Sequence, residues 1–425
     1  MSDDDKSVLR APRGMRDFYP DEMAVQNAIF SAWQSAACRH GFLQYDACVV
    51  ESLDLLKRKA GEEIEKQIYS FQDKSGRDLA LRPEMTPTLA RMIAAKQGAL
   101  SFPLKWFAIA QCFRYERTTR GRKREHYQWN LDIVDEQSVS AEAEVIATAV
   151  SALSMLGIGS DDAAIHINSR ALLADLLDGS GIPRKIHGAV FLALDKLGKL
   201  TDAEVSASLE SAGLSKENVE AAFRIMRLET LDEARKLLGE ETESYRELLS
   251  LFSMLSHYKI DAMARFDISV VRGLGYYTGI VFEAFDKAKR LRAIFGGGRY
   301  DNLLQDLGGK PMSGVGLGFG DVVIAELLSA SGRLNGISPT RDLALGYMEE
   351  AQRPASMAAA EQFRRQGRSV DLALRNQKAK AFFSWANKSG FVEAAFIGPE
   401  EVLAGEVRVK TLEDRTERSV ALPGC

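Results

Sequence analysis

The sequence predicts an α+β chain in which a strand-rich part carrying a polar pocket is interrupted by a helical block and followed by a small α/β domain. Three observations carry that prediction. Residues 106–134 read as two apolar strands, WFAIAQCFRYE and YQWNLDIV, joined by an arginine-dense loop, which is the pattern of an antiparallel hairpin. From Arg170 to about Tyr258 the composition shifts to Ala, Leu, Glu and Lys at helical period, and β character returns only after it. Residues 341–425 then alternate strand and helix patterns.

The first ten residues form a polar lead, and Gly14, Asp17 and Pro20 make a turn-rich entry to a helix from about Glu22 to His40, stopped by Gly41. Its apolar face suits either a core or an interface. GFLQYDACVVE reads as a strand, and SFQDKSGRDLAL as a hairpin turning at Ser75 and Gly76. In LRPEMT, Pro83 bars a regular central strand and sets Glu84 and Thr86 at a strand end, before a helix from about Pro87 to Gln97. A carboxylate at such an entry is either a cap or a partner for a ligand's ammonium.

The hairpin that follows holds Arg114 where a core strand rarely has a guanidinium, and Gln128, Asn130 and Asp132 at period 2 on one face. Arg117, Arg120, Arg122, Lys123 and Arg124 fill its loop, with Gly121 at the bend. A charge run alone is a solvated face. An arginine, amides and a carboxylate on apolar strands are costly unless paired or used, and therefore point to a polar pocket beneath a basic loop.

Ser140 to Leu156 is a helix capped by Ser140, with Glu142 and Glu144 in its first turn, leading to a strand at AAIHIN where His166 is structural. The helical block is punctuated at Gly181, Pro183, Gly213 and Gly239. Two strands, FDISVV and GIVFEAF, then flank Arg272, Gly273, Leu274, Gly275, Tyr276, Tyr277 and Thr278. Glycines beside a tyrosine pair fit backbone brought close to a planar ligand, or a tight turn. FGGGRYD reads as a glycine-rich turn holding Arg299 and Asp301, without the βαβ context of a dinucleotide fingerprint. GVGLGFG is a small-residue strand entering a helix with Asp321 near its start. After the linker SASGRLNGISPTR comes a small α/β domain with a mostly parallel sheet, in which Lys378, Lys380 and Lys388 fit a solvated face or a phosphate contact.

Composition narrows the function classes. The chain has 425 residues, is 46% hydrophobic and 27% charged, and carries a net charge of −4, so a nucleic acid partner must be met by local basic patches. The four cysteines, Cys38, Cys48, Cys112 and Cys425, have neither CxxC nor Cys/His spacing, which argues against structural zinc and for a reducing compartment. No apolar run reaches the roughly 18 residues of a membrane span, and the acidic start is unlike a signal peptide. A soluble cytoplasmic protein is expected.

LRPEMT, the FRYE loop ending in YQWNLD, and VRGLGYYTGIVFEA followed by GGGRYD together resemble the class II histidyl-tRNA synthetases, from RGMRDF through FIGPEEVLAGEVRVKTL. RGLGYYTG is specific to that family; the arginine strand, loop and second strand belong to the wider superfamily. The resemblance implies a class II catalytic domain over residues 1–330, with an antiparallel sheet of six or seven strands and a helical insertion at about 170–260. It further implies a linker at 331–340, an anticodon-binding α/β domain over 341–425, and a homodimer without membrane attachment. The implied reaction joins L-histidine to ATP, supplied with Mg2+, and transfers the histidyl group to the end of tRNA(His), with no prosthetic group or protein-held metal.

Carried over by position, Glu84, Met85 and Thr86 fall at the family's histidine ammonium site, with Gln128 beside the substrate, Asp132 facing the imidazole, and Tyr276 and Tyr277 walling the pocket. Arg114 and Arg272 match the catalytic arginines at the α-phosphate, and Glu116, Arg122 and Arg299 join them as ATP contacts. Two fixed guanidiniums suit a step in which a carboxylate attacks a phosphoryl group and negative charge accumulates. Two positions depart from the family: Val323 stands where its third motif ends in an arginine, and Cys48 where its first motif has a proline. These departures also suit a non-aminoacylating relative acting as a histidine-sensing regulatory subunit of histidine biosynthesis, although such relatives generally lack the anticodon domain. In an active enzyme, Arg122 is the candidate for the γ-phosphate duty of the missing arginine.

Overall fold

A computed structural model describes residues 9–58, 66–197, 200–271 and 276–423, in two compact units, Met1–Ile337 and Ser338–Cys425. In the first unit, helix α1 (Pro20–Arg39) starts with proline and two acidic residues and buries Ile29, Trp33, Ala36 and Ala37 at helical spacing. GFLQYDACVVE does not form one strand. It gives the short β1 (Leu43–Gln44) and β2 (Val50–Ser52), because buried Arg82 donates to the carbonyls of Ala47 and Cys48 and draws that backbone out of a ladder. Helix α2 (Leu53–Lys57) precedes β3 (Tyr69–Gln72) and β4 (Asp78–Leu81), which form a three-stranded sheet with β2 and deliver the chain to α3 (Thr86–Lys96).

The central hairpin is β5 (Leu104–Phe113) and β6 (Glu125–Val134), followed by α4 (Ser140–Met155) and β7 (Ala163–Ser169). Ser140 does not cap α4 as expected: it is the first helical residue, and its hydroxyl lies 2.5 Å from that of Ser138. The helical block comprises α5 (Arg170–Gly179), α6 (His187–Leu194), α7 (Asp202–Ser211), α8 (Lys216–Ile225), α9 (Leu231–Leu238) and α10 (Glu243–His257). Capping boxes at Thr201 and Thr230 and a left-handed Gly239 fix its helix ends.

The strand expected at FDISVV does not form beyond Phe266: β8 is Ala264–Phe266, and the Asp267 carboxylate then takes the backbone and hydroxyl hydrogens of Ser269 and turns the chain. Then come β9 (Ile280–Asp286), β10 (Phe295–Arg299), the short α11 (Leu303–Asp306), β11 (Gly314–Gly320) and α12 (Asp321–Ala330). FGGGR is thus a strand and not a turn. A Cβ at Gly297 would lie 2.2 Å from the Gly316 carbonyl, so its glycines answer the closeness of the neighbouring strand. The main sheet has eight strands, in the order β1-β5-β6-β11-β10-β9-β7-β8. The pairs from β5 to β7 are antiparallel, and the edge strands β1 and β8 run parallel to their neighbours, which extends the expected six or seven by short edges. Helices α1 and α4 bury Trp33 and Val145 with Trp129, Leu131 and Phe282 in one core cluster, leaving the other sheet face for a cavity.

The second unit contains β12 (Leu343–Tyr347), α13 (Arg353–Arg365), β13 (Val370–Leu372), α14 (Ala379–Lys388), β14 (Glu393–Ile397), α15 (Pro399–Ala404), β15 (Glu406–Thr411) and β16 (Glu417–Ala421). Its sheet runs β13-β12-β14-β15-β16. Two pairs are parallel and two antiparallel, so it is mixed and not mostly parallel, because the final strands fold back as a hairpin once no crossover helix separates them.

Candidate active site

A cavity of about 380 Å3 lies on the open face of the main sheet. Period 2 places Gln128, Asn130 and Asp132 on that face of β6, opposite Gly320, Gly318 and Gly316 of β11. The glycines make the floor deep: a Cβ at Gly316 would stand 2.0 Å from Asp132 Oδ1, and one at Gly318 2.6 Å from Gln128 Nε2. Substituting Gly316 by alanine is therefore expected to displace the Asp132 carboxylate and raise KM for the cavity's ligand about tenfold, measured by steady-state kinetics against a thermal melt as control.

Asp132 is fully enclosed. Tyr300 donates to its Oδ1 at 2.7 Å, while its Oδ2 has no hydrogen-bond partner among the described residues. Burial pushes this carboxyl up to about 7, against the lowering effect of the Tyr300 hydroxyl. A buried acceptor in this state awaits an N–H from a ligand. Gln128 donates from Nε2 to Asn130 Oδ1 at 3.0 Å, and the neighbouring His126 ring nitrogen lies 3.4 Å from Gln128 Oε1. Burial and then the Arg114 charge push that imidazole down to about 3, so it is neutral.

The walls come from distant segments. Glu84, buried at the foot of α3, receives the Tyr276 hydroxyl at 3.3 Å, and Thr86 stands beside it on the cavity wall. The rings of Tyr276 and Tyr277 are 4.8 Å apart, and Tyr276 meets Tyr300 edge-on at 6.1 Å. Arg114 donates from Nε to the Pro83 carbonyl at 2.9 Å, which leaves its terminal nitrogens aimed by a fixed stem. Glu116 and Arg122 form an ion pair at 2.5 Å further along the same wall.

Glu84, Thr86, Arg114, Glu116, Arg122, Gln128, Asp132, Tyr276 and Tyr277 thus line one cavity. Two expected contacts do not. Met85 is buried beneath it beside Ala108, Ala110 and Cys112, its sulfur accepting from Arg82. Arg299 grips Glu142 at 2.6 and 2.7 Å and the carbonyls of Glu136 and Ser138, and it stands outside the cavity lining. Arg272 lies outside the described residues. Sequence reasoning missed Tyr300, Glu283 and Asp195, which also line the cavity. A Cβ at Gly314 would stand 2.3 Å from the Tyr300 ring, a closeness that no sequence pattern records, and Asp195 comes from the helical block without any signal.

Val323 is buried on α12, and its methyl would be 3.7 Å from a Cβ at Gly121, so the arginine-rich loop rests where a longer side chain would otherwise project. Arg120 of that loop pairs with Glu326 of the same helix at 3.0 Å.

Residues 14–320 match a family model described as histidyl-tRNA synthetase, and residues 340–423 one described as an anticodon binding domain. The chain is 39% identical over 417 residues to a chloroplastic and mitochondrial histidine–tRNA ligase of Arabidopsis thaliana, covering 98% of this chain and 86% of that one. It is 39% identical over 413 residues to a histidine–tRNA ligase of Opitutus terrae, covering 96% and 94%. A crystal structure of histidyl-tRNA synthetase from a Nostoc species superposes with a TM-score of 0.82 at 24% identity over 97% of both chains.

Proposed function

The chain belongs to the histidyl-tRNA synthetase family, and from that premise we propose how its cavity divides the work of an ATP-dependent histidine–tRNA ligase. The observation that carries the assignment is the open acceptor of Asp132 beside Tyr300, in a cavity that Arg114, Arg122 and Glu116 also line. Histidine seats its ammonium against Glu84 and Thr86. Its imidazole N–H donates to Asp132, a contact that apolar analogues cannot make. Tyr276 and Tyr277 enclose the ring.

ATP, taken with its Mg2+ as one substrate, lies toward Arg122. The carboxylate oxygen of histidine bonds to the α-phosphorus and the bond to the pyrophosphate oxygen breaks. Arg114 neutralises the two anions as they meet and holds the charge that spreads over the phosphoryl oxygens, a role Arg272 shares by its place in the family motif. The terminal hydroxyl of tRNA(His) then displaces adenylate, while the 338–425 unit reads the anticodon. The enzyme works as a cytoplasmic homodimer; exposed Leu43 on edge strand β1, and exposed Val49 and Val50 at the start of β2, offer apolar surface to a second copy. Among the described residues no helix is long and apolar enough to cross a membrane.

With Val323 in place of the usual arginine, Arg122 takes the γ-phosphate. Arg122→Ala is expected to raise KM for ATP about tenfold in pyrophosphate exchange with KM for histidine unchanged. An unaltered KM for ATP removes Arg122 from the nucleotide site.

A further inference from the structure

Two loops leave the main sheet at the same end. The β5–β6 loop follows Phe113 and the β9–β10 loop follows Asp286, and the strand order sets the last residue of β11, Gly320, between them. The cavity reaches this gap, where Glu116 and Arg122 from one loop, Ala293 and Ile294 from the other, and Gly320 line it. Both loops are basic. Residues 287–292 read KAKRLR, four cations without an acid, in a chain of net charge −4.

The second loop is tied down by hydrogen bonds. The buried carboxylate of Asp286 accepts the backbone N–H groups of Arg290 and Leu291 at 3.1 and 2.7 Å, Lys289 sits at φ 50°, and the Lys287 N–H bonds the Asp162 carbonyl at 2.8 Å. Lys287 and Lys289 have acidic neighbours, Asp161 and Asp267, each at 3.6 Å. Arg290 and Arg292 are exposed, outside the cavity lining, and form no ion pair among the described residues. A fixed loop that spends its lysines on carboxylates and leaves two guanidiniums in solvent is suited to phosphates larger than anything the cavity holds.

We infer that the 287–292 loop is a second phosphate-binding jaw for the acceptor end of the tRNA, facing the arginine-rich loop of β5–β6 across the mouth of the cavity. The inference rests on the synthetase reading given above. It assigns Arg290 and Arg292 to the RNA backbone and not to ATP, because both stand outside the space in which the nucleotide reacts.

The test uses the full-length protein carrying R290A and R292A together, with tRNA(His) and, separately, histidine-dependent pyrophosphate exchange. KM for tRNA in aminoacylation is expected to rise about tenfold near 0.15 M salt, with the log–log salt slope reduced by about 1 to 2. Exchange stays at the unmodified rate, and the R290K/R292K form recovers most of the affinity, since phosphate contacts of this kind need charge more than shape. An unchanged KM and salt slope for tRNA overturn the proposal. So does a rise in KM for ATP during exchange, which would assign the arginines to the nucleotide. Absence of exchange in the unmodified protein would overturn the synthetase reading, and the jaw with it.

Discussion

Replacing Arg114 by alanine is expected to lower histidine-dependent exchange of pyrophosphate into ATP by about 10³-fold, with KM for histidine changed little. The reason is where charge appears. Histidine carboxylate and α-phosphate are both anionic, and their approach in a partly enclosed site is opposed unless a fixed cation lies between them. Arg114 is such a cation, its Nε tied to the Pro83 carbonyl at 2.9 Å so that little reorganisation is needed as the bond forms. The loss should fall mainly on kcat, because the interaction strengthens toward the transition state. Lysine should recover only part of the rate, since one ammonium cannot keep both the carbonyl and the phosphate. Thermal stability should fall by about 1 to 3 kcal/mol at most, the cost of leaving the buried Pro83 carbonyl without its donor. A rate within tenfold of the unmodified protein would exclude Arg114 from the chemistry.

Asp132→Asn should reduce kcat/KM for histidine by about 10²-fold or more while leaving the fold as stable or more stable. Asparagine keeps the size and one acceptor, but it removes the charge and turns a donor toward the substrate N–H. The stability expectation follows from linkage. Asp132 titrates near 7 in the folded protein against 3.8 ordinarily, so between about pH 4 and pH 7 the native state binds more protons than the unfolded chain. Stability from this group is present at acid pH and is lost as pH rises through 7. Above pH 7 the buried, ionised carboxyl costs the fold a few kcal/mol, a cost the amide does not carry. The melting temperature of the variant, relative to the unmodified protein, should therefore rise between pH 6 and pH 8. Histidine use by the unmodified enzyme should improve over the same interval as the acceptor ionises. A variant that melts lower at pH 8 and activates histidine normally would refute both halves.

Much of this site was legible in the sequence because its residues break local rules. Gln128, Asn130 and Asp132 are polar at period 2 on one strand and Arg114 follows an apolar one, and the structure sets all four on the cavity. Glu84 and Thr86 stood out because Pro83 ends a strand just before them. What could not be read depended on partners far along the chain. Arg299 looked as well placed for the cavity as Arg122, yet Glu142, 157 residues away, holds it outside the lining through two short contacts. The FGGGR strand looked like a turn because glycine signals both a bend and a tight neighbour, and only the Gly316 backbone 2.2 Å from a Gly297 Cβ separates the two. Asp195 reaches the cavity from the helical block by tertiary packing alone, which no periodicity records.

The most direct test of the whole account is amino-acid-dependent exchange of pyrophosphate into ATP by the purified protein, with histidine compared against a panel that includes glutamine, tyrosine and phenylalanine. Exchange with histidine and none of comparable rate with the others is expected, because phenylalanine has no donor for Asp132 and the amide of glutamine and the phenol of tyrosine do not place one as an imidazole ring does within a pocket walled by Tyr276, Tyr277 and Tyr300. No exchange with any amino acid, together with measurable histidine binding, would contradict it and leave a histidine-sensing subunit in its place.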